Sequence, residues 1–316
     1  MQIKNKLLFV LFGLLAVATL NVQVQAQSTD NARFLSLAPP GGLPIIPILE
    51  GWIDQPDGTT SFSFGIINRN EEVVDIPVGE NNYITPAKYN GIQPTHFPAG
   101  RSTGAFAVNV PGSEEDDDVW WYIKTGDSEV LKVPGRRGAS AYELDFILPR
   151  PGGSLQPQVG IGVNGAQSAG IYGQIADYPG GTVSANTPVE ITVNVLDTAK
   201  RDSTDVRFEE AIPLGIKFTH FQGPGAIEFT RHETTEVPEA PEVPTGAPAQ
   251  ARNRLRAPGP DTVNIDGPGG LARVYASFSE PGEYIIAAKV DVHRAPDSSN
   301  GDQCCWTNVY QRFTVK

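Results

Sequence analysis

The residues with the clearest chemical potential are the adjacent pair Cys304-Cys305, which Trp306 follows directly. They are the only two cysteines of the chain. In an oxidising compartment such thiols can close a vicinal disulfide, pair with another chain or stay reduced. Neighbouring Cα atoms lie about 3.8 Å apart, below the usual disulfide separation, so a closed ring forces an unusual turn. A vicinal disulfide can stiffen the loop, which is the interpretation that the sequence favours, or it can form with Trp306 a flat surface on which a sugar or another flat partner stacks.

A run of five acidic residues, 114–118, is the second notable feature. Clustered carboxylates suit Ca²⁺, which takes six to eight oxygen ligands. Glu114, Asp116 and Asp118 are therefore the candidate calcium ligands, and calcium is the one candidate cofactor. Because the acids form a plain run and not an alternating loop, the sequence favours a solvated charge cluster over a metal site.

Two adjacent tryptophans, Trp120 and Trp121, follow the acidic run within a predicted strand. Successive side chains of a strand point to opposite faces, so one ring is expected in the core and the other outside it. Both are candidate ligand-binding residues, since an exposed tryptophan can bind carbohydrate or a partner protein.

The four histidines are scattered along the chain without the spacing of a metal site: His96, His220, His232 and His293. A copper or zinc site would need the fold to gather them. His293 is the one candidate metal ligand among them, because a hairpin could bring it close to Cys304 and Cys305.

Three apparent catalytic motifs fail in their context. Residues 160–165 match a dinucleotide-binding glycine pattern, but neither a helix nor a βαβ unit is predicted around them. Residues 232–236 end in Glu where a zinc protease needs a second His. Ser168 lacks the Gly-x-Ser-x-Gly register of a nucleophile elbow. No catalytic residue is assigned, and the sequence leans away from an enzyme.

The beginning of the chain predicts export. Lys4 and Lys6 precede an apolar run, 7–20, and a small-x-small cleavage site ends at Ala26, so residues 1–26 are predicted to be a Sec signal peptide. The apolar run is shorter than the roughly 20 residues of a membrane span. We expect a secreted or periplasmic protein without a membrane span.

Charge and composition narrow the class of partner. The net charge is −12 for the whole chain and becomes −14 without the signal, which holds two lysines and no acidic residue. Such an acidic chain repels nucleic acid. The expected partner is an unknown protein or carbohydrate at the cell surface. With 27 Pro and 33 Gly, long helices are disfavoured.

The apolar pattern has a period close to two, which predicts an all-β protein of two β-sandwich domains in tandem. We expect an N-terminal domain at 27–150, a linker at 151–170, and a C-terminal domain at 171–316 with a Pro-rich insertion at 233–260. The pair Asp57-Gly58 predicts a hairpin. The predicted strands are 45–52, 61–68, 104–110, 119–124, 141–148, 189–196, 216–221, 272–278, 284–290 and 309–315.

Residues 278–284, Phe-Ser-Glu-Pro-Gly-Glu-Tyr, precede alternating apolar residues and a last strand ending at Val315. This segment resembles the end of immunoglobulin-like or PKD-like modules of bacterial exported proteins, although the Trp-x-Phe-Gly-Asp-Gly signature of PKD domains is absent. The resemblance covers about 180–316 and implies an immunoglobulin-like β-sandwich. It also implies that Tyr284 ties the corner before the penultimate strand to nearby backbone.

These observations favour an exported, non-catalytic binding or structural protein for adhesion, surface or matrix contact. One alternative is an exported carbohydrate-active enzyme or its accessory subunit, with carboxylates from 114–118 or from Asp75 and Glu80. Another is a periplasmic calcium- or copper-binding protein.

Overall fold

The computed structural model describes residues 42–112, 118–138, 140–144, 155–200, 213–236, 258–292 and 306–316. They belong to one compact unit, Gly42–Lys316, and its architecture is all-β, which confirms the predicted class. The strands are β1 (Ile46–Asp54), β2 (Thr59–Asn68), β3 (Val74–Asp75), β4 (Asn82–Thr85), β5 (His96–Phe97), β6 (Gly100–Pro111), β7 (Val119–Ile123), β8 (Leu131–Gly135), β9 (Gln158–Ile161), β10 (Ile175–Asp177), β11 (Val189–Leu196), β12 (Leu214–Gln222), β13 (Ile227–Arg231), β14 (Thr262–Ile265), β15 (Gly269–Phe278), β16 (Gly282–Val292) and β17 (Trp306–Val315).

The first β-sandwich is built from two three-stranded sheets, with the orders β1-β2-β6 and β4-β7-β8. Strands β3 and β5 form a separate pair. Trp121 of β7 is fully buried between the sheets. Its ring lies edge-on to Phe64 at 6.0 Å and to Phe106 at 5.0 Å between ring centroids. The core therefore comes from alternate residues of facing strands.

The β1–β2 hairpin forms where Asp57-Gly58 predicts it. Gly58 has a φ of 82°, a left-handed conformation that glycine adopts without strain. The Asp57 carboxylate accepts hydrogen bonds from the backbone N–H and the hydroxyl of Thr59, at 3.0 and 2.7 Å. These local bonds close the turn.

One buried asparagine organises the stretch between β3 and β6. The Asn82 amide donates to the carbonyls of Ile76 and Pro94, at 2.9 and 2.8 Å. Its oxygen accepts the indole N–H of Trp121 at 2.9 Å. Every polar atom of this side chain is thus satisfied inside the core. The stretch between β3 and β6 is consequently pinned to the sandwich.

The second β-sandwich packs a four-stranded sheet, β13-β15-β11-β9, on a five-stranded sheet, β10-β17-β16-β12-β14. Strand β11 spans the predicted residues 189–196, and its Ile191, Val193 and Val195 enter a large apolar core. The residues predicted as a linker, 151–170, include β9, which pairs with β11 at the edge of the sheet. The fully buried side chain of Val159 explains why this stretch joins the sandwich.

Tyr284 makes the corner contacts that the family resemblance implies. Its hydroxyl donates to the carbonyl of Glu280 at 2.8 Å and accepts the N–H of Gly225 at 3.1 Å. The ring is buried against Phe278 at 4.8 Å between centroids. This side chain therefore holds the turn before β16 against the segment that follows β12.

The two sandwiches share a junction, because the five-stranded sheet is covered on both faces. The inward residues of β16, such as Ile286 and Val290, enter the second core. Ala287 on its opposite face instead joins the cluster that contains Phe106. Hydrogen bonds cross this junction, including Thr95 N–H to the Phe221 carbonyl at 2.9 Å. Consecutive apolar residues in β16 are typical of a strand that is buried on both faces.

One predicted strand differs from the structure. Within the predicted strand at 141–148, the described residues form the end of a short 3-10 turn, Ser140–Tyr142, and Leu144 donates its N–H to the Trp52 carbonyl at 2.8 Å. Most of the predicted insertion, 237–257, lies outside the described residues. In the described ranges, no helix has both the length and the apolar character of a membrane span.

Candidate functional site

The outer face of the β4-β7-β8 sheet carries a cluster of half-buried aromatic rings. Along β7, Val119, Trp121 and Ile123 point into the core, whereas Trp120 and Tyr122 point outward. On the neighbouring strand β4, Tyr83 lies directly opposite Tyr122. We call Tyr83, Trp120 and Tyr122 the aromatic surface.

The rings of the aromatic surface are in mutual contact. Tyr83 and Tyr122 stack with centroids 4.6 Å apart and planes 7° apart. Trp120 lies 6.5 Å from Tyr122 in a tilted arrangement. Because cross-strand pairing fixes these rings on a sheet, the aromatic surface is preorganised for contact with a ligand.

Two cations border the aromatic surface. The Lys132 ammonium lies 4.7 Å from the centroid of the Trp120 ring and 5.7 Å from that of Tyr122. The Arg136 guanidinium lies 5.2 Å from the Trp120 centroid and forms an ion pair with Asp118 at 2.7 Å. Cations above aromatic faces are held by the ring quadrupole. The surface therefore combines apolar rings with the positive charge of Lys132, whereas the charge of Arg136 is paired with Asp118.

Trp121 and Trp306 occupy buried positions. Trp121 is fully buried, on the face of β7 opposite to Trp120, as the strand alternation predicts. Trp306 is 5% exposed and packs in a cluster with Ile53, Leu144 and Ile171. Neither ring offers an open stacking face to a ligand. Cys304 and Cys305 lie outside the described residues.

The predicted metal ligands are represented in the structure by Asp118 alone, whose carboxylate binds Arg136. Glu114, Asp116 and His293 lie outside the described residues. Within the described ranges, no three His, Cys, Asp or Glu side chains gather into a metal-binding group. Calcium binding stays a prediction. Of the carboxylates considered for an enzyme, Asp75 accepts a hydrogen bond from His96 at 2.7 Å.

The structure brings together two histidines that are far apart in sequence. His96 of β5 and His220 of β12 stack with ring centroids 4.0 Å apart. Nδ1 of His96 lies 2.7 Å from a carboxylate oxygen of Asp75. No spacing in the sequence points to this pair, because His96 lies in the separate β3-β5 pair, His220 lies in the second sandwich, and the two meet only across the junction.

His220 is 8% exposed, and both of its ring nitrogens lack a hydrogen-bond partner among the described residues. The nearby backbone of Gln222 and Gly223 raises the pKa of His220, but these are the smallest of the influences on it. Burial, followed by the charge of His96, lowers the pKa of His220 from 6.5 to about 4. The imidazole is therefore neutral at physiological pH.

His96 and His220 line a cleft of about 480 Å³ at the junction, which we call the junction cleft. Its walls come from β5, β6 and the outer face of the five-stranded sheet. The charged residues lining it are three cations and one carboxylate: Arg101, Lys217, Lys289 and Asp291.

Comparisons with known proteins support no family assignment. No protein-family model matches the sequence, and no curated protein matches it significantly.

Among solved structures, a PapD-like domain of human CEP192 has a TM-score of 0.26 at 9% identity, covering 61% of this chain and 97% of that one. The D0-D1 domain of intimin has a TM-score of 0.23 at 11% identity, covering 86% and 97%. CfaE, the adhesive subunit of the CFA/I fimbria of enterotoxigenic Escherichia coli, has a TM-score of 0.22 at 9% identity, covering 86% and 87%. These values are too low to bear on the function of this chain.

Proposed function

We propose that the protein is an exported, non-catalytic binding protein that contacts an acidic carbohydrate at a cell or matrix surface through its aromatic surface. The observation that carries the proposal is the half-exposed group of Tyr83, Trp120 and Tyr122 beside Lys132 and Arg136. Export rests on the predicted signal peptide at 1–26.

The geometry favours a sugar because the apolar face of a pyranose ring stacks on a flat aromatic face. Rings fixed on a sheet lose little conformational freedom when a ligand binds. Lys132 favours a sugar with a carboxylate, since a charge-assisted hydrogen bond is about twice as strong as a neutral one, and Arg136, which also pairs with Asp118, has further guanidinium donors beside it. A uronic acid within a polysaccharide meets both requirements.

The test compares two oligosaccharides that differ only in charge. Isothermal titration of the protein with a galacturonic acid oligomer is expected to give saturable binding. A neutral galactose oligomer of the same length is expected to bind more weakly, because it lacks the carboxylates that reach Lys132 and Arg136.

Two variants assign the binding to this surface. Trp120→Ala is expected to weaken binding of the galacturonic acid oligomer by at least about tenfold, since a central aromatic contact contributes most of the affinity in many interfaces. Tyr142→Ala removes an aromatic ring that is 55% exposed elsewhere and should leave binding unchanged. The proposal would be refuted if wild type and Trp120→Ala bound the galacturonic acid oligomer equally and neither protein distinguished it from the galactose oligomer.

The alternative functions stay predictions. Glu114, Asp116 and His293, the candidate residues for calcium or copper, lie outside the described residues. An enzymatic role in carbohydrate turnover has no specific geometric observation in its favour.

A further inference from the structure

The junction cleft has features that the aromatic surface does not use. It opens between the two sandwiches, and its volume of about 480 Å³ falls within the range of small-molecule sites. Its lining combines apolar residues, such as Ile66 and Phe221, with a few polar groups. This composition is typical of a ligand pocket.

His220 supplies the first specific observation. A side chain that is 8% exposed is expected to have hydrogen-bond partners, yet neither ring nitrogen has one of normal geometry among the described residues. The backbone of Gln222 and Gly223 lies near the ring and raises its pKa, but the distances and angles do not make hydrogen bonds. The ring lines the cleft. Its neutral form offers one N–H donor and one acceptor. A ligand in the cleft can therefore satisfy a group that the protein leaves unsatisfied.

The charge of the lining supplies the second observation. The chain as a whole has a net charge of −12, but Arg101, Lys217 and Lys289 meet in one cleft with the single carboxylate of Asp291. This local excess of positive charge runs against the charge of the molecule, and low-dielectric walls concentrate its field.

Existing contacts hold the two ammonium groups in place. Lys217 pairs with Asp261, and Lys289 donates to the Thr103 carbonyl at 2.9 Å. An ammonium has three donors, so each lysine retains donors for a ligand. The Arg101 side chain makes no hydrogen bond or ion pair within the described part of the chain, and it lies at the cleft wall.

A buried acid behind the cleft wall balances part of this charge. The Glu50 carboxylate accepts hydrogen bonds from Gly104 N–H at 2.6 Å and from the Ser63 hydroxyl at 3.0 Å. Burial raises the pKa of Glu50, although those bonds and the charges of Lys289 and Arg101 oppose the shift. Asp291, Asp261 and Glu50 match the three cations in number, but Asp261 and Glu50 are not among the lining residues, so the lining itself presents more cations than acids.

We propose that the junction cleft binds a small anionic ligand, whose carboxylate or phosphate oxygens are held by Arg101 and Lys289 and accept a hydrogen bond from His220. The site lies apart from the aromatic surface, so it stands or fails independently of the proposed function.

Histidine ring signals in ¹H–¹⁵N NMR spectra of the ¹⁵N-labelled full chain provide a local readout, because the chain has only four histidines. The signal of His220 is assigned by its loss in His220→Gln. Malonate and inorganic phosphate serve as probes of the carboxylate and phosphate forms of the ligand. Malonamide, which has the shape of malonate without its charge, is the neutral control.

The proposal predicts a saturable shift of the His220 signal with malonate, phosphate or both, and no such shift with malonamide. Whichever anion binds identifies the class of ligand. Arg101→Gln is expected to weaken binding by about tenfold, since it removes one charge-assisted contact. Arg312→Gln removes an exposed arginine of β17 that pairs with Asp177 outside the cleft and should change affinity less than about twofold.

Three results would overturn the proposal. One is the absence of saturation with both anions up to about 10 mM at low salt. Another is an equal shift with malonamide. The third is an equal loss of affinity in Arg101→Gln and Arg312→Gln. Unchanged far-ultraviolet circular dichroism of both variants establishes that each is folded.

Discussion

Trp120 in β7 and Trp306 in β17 both point outward from a sheet, and each has a lysine ammonium above its ring, at 4.7 and 4.9 Å from the centroid. Trp120 is half-buried on an open face, whereas Trp306 is 5% exposed. The difference comes from the layer above. Among the described residues, no second layer packs on the outer face of the β4-β7-β8 sheet. The outer face of the five-stranded sheet, in contrast, is covered by the first sandwich.

Small residues make that covering possible. At Gly104 in β6, an added Cβ would lie 2.8 Å from the Trp306 indole. Ala107 of the same strand packs in the cluster around this ring. An outward aromatic residue therefore becomes core or contact surface according to whether a neighbouring backbone can approach it.

The largest expected effect comes from truncating the two rings. Trp306→Ala should destabilise the protein by about 3–5 kcal/mol, the usual cost of removing a buried aromatic side chain. Trp120→Ala should cost only about 1 kcal/mol, because its ring is already partly hydrated. Urea denaturation of both variants measures the difference. Equal losses would contradict the contrast between the two faces.

A glycine pair tests the close approach at the junction. Gly104 and Gly58 both have a left-handed φ, 59° and 82°, but only Gly104 faces a close neighbour, whereas a Cβ at Gly58 meets nothing within 4 Å. Gly58→Ala should cost about 1 kcal/mol from backbone strain. Gly104→Ala should cost about 2–4 kcal/mol, because a clash with Trp306 adds to the strain.

Denaturation midpoints of the two glycine variants give the comparison directly. A Gly104→Ala variant as stable as Gly58→Ala would show that Trp306 does not pack against this backbone.

The stability of the junction should depend on pH through His220. Its pKa is about 4 in the folded protein and 6.5 ordinarily, so the unfolded state binds more protons between these values. The contribution of neutral His220 to the free energy of unfolding is therefore complete above about pH 6.5. It falls as the pH drops towards 4, by up to about 3 kcal/mol. Glu50 acts in the opposite direction, since its raised pKa favours the folded state at low pH.

The measurement compares wild type with His220→Phe, which keeps a ring against His96 without a titratable group. The free energy of unfolding, recorded from pH 7 to pH 4, should fall more steeply in wild type. Parallel curves for the two proteins would contradict the assignment to His220.

The smallest effects concern the two lysines. Lys289→Met removes a hydrogen bond to the Thr103 carbonyl together with the contact to Trp306, and should cost about 1–2 kcal/mol. Lys132→Met on the open face should cost less than about 1 kcal/mol. Thermal unfolding of the two variants measures the loss of stability. A larger loss for Lys132→Met than for Lys289→Met would contradict the contrast between the open and the covered face.

The positions of the strands can be predicted from the sequence better than the packing of the sheets on one another. The strict alternation in 189–196 predicts β11 correctly, and Asp57-Gly58 predicts its hairpin, because both depend on local chain geometry. The strand β9 at 158–161 escapes prediction because its Gly-rich sequence has the composition of a linker. Contact between the sandwiches also depends on distant residues, so the consecutive apolar residues 285–288 are its only local sign.

The candidate sites show the same limit. Trp120 and Trp121 could be placed on opposite faces by the period of the strand, although the pattern could not decide which of them is exposed. Tyr83, Lys132 and Arg136 join Trp120 only through strand pairing. The pairing of His96 with His220 needs both sandwiches, and no spacing in the sequence predicts it.

The most direct test of the account records the indole N–H signals of the four tryptophans by NMR while the galacturonic acid oligomer is added. We expect the Trp120 signal to shift saturably, while the chemical shifts of Trp121 and Trp306 do not change because their rings are buried. A shift of Trp306 without a shift of Trp120, or no shift at all, would contradict the assignment of the open aromatic face as the binding surface.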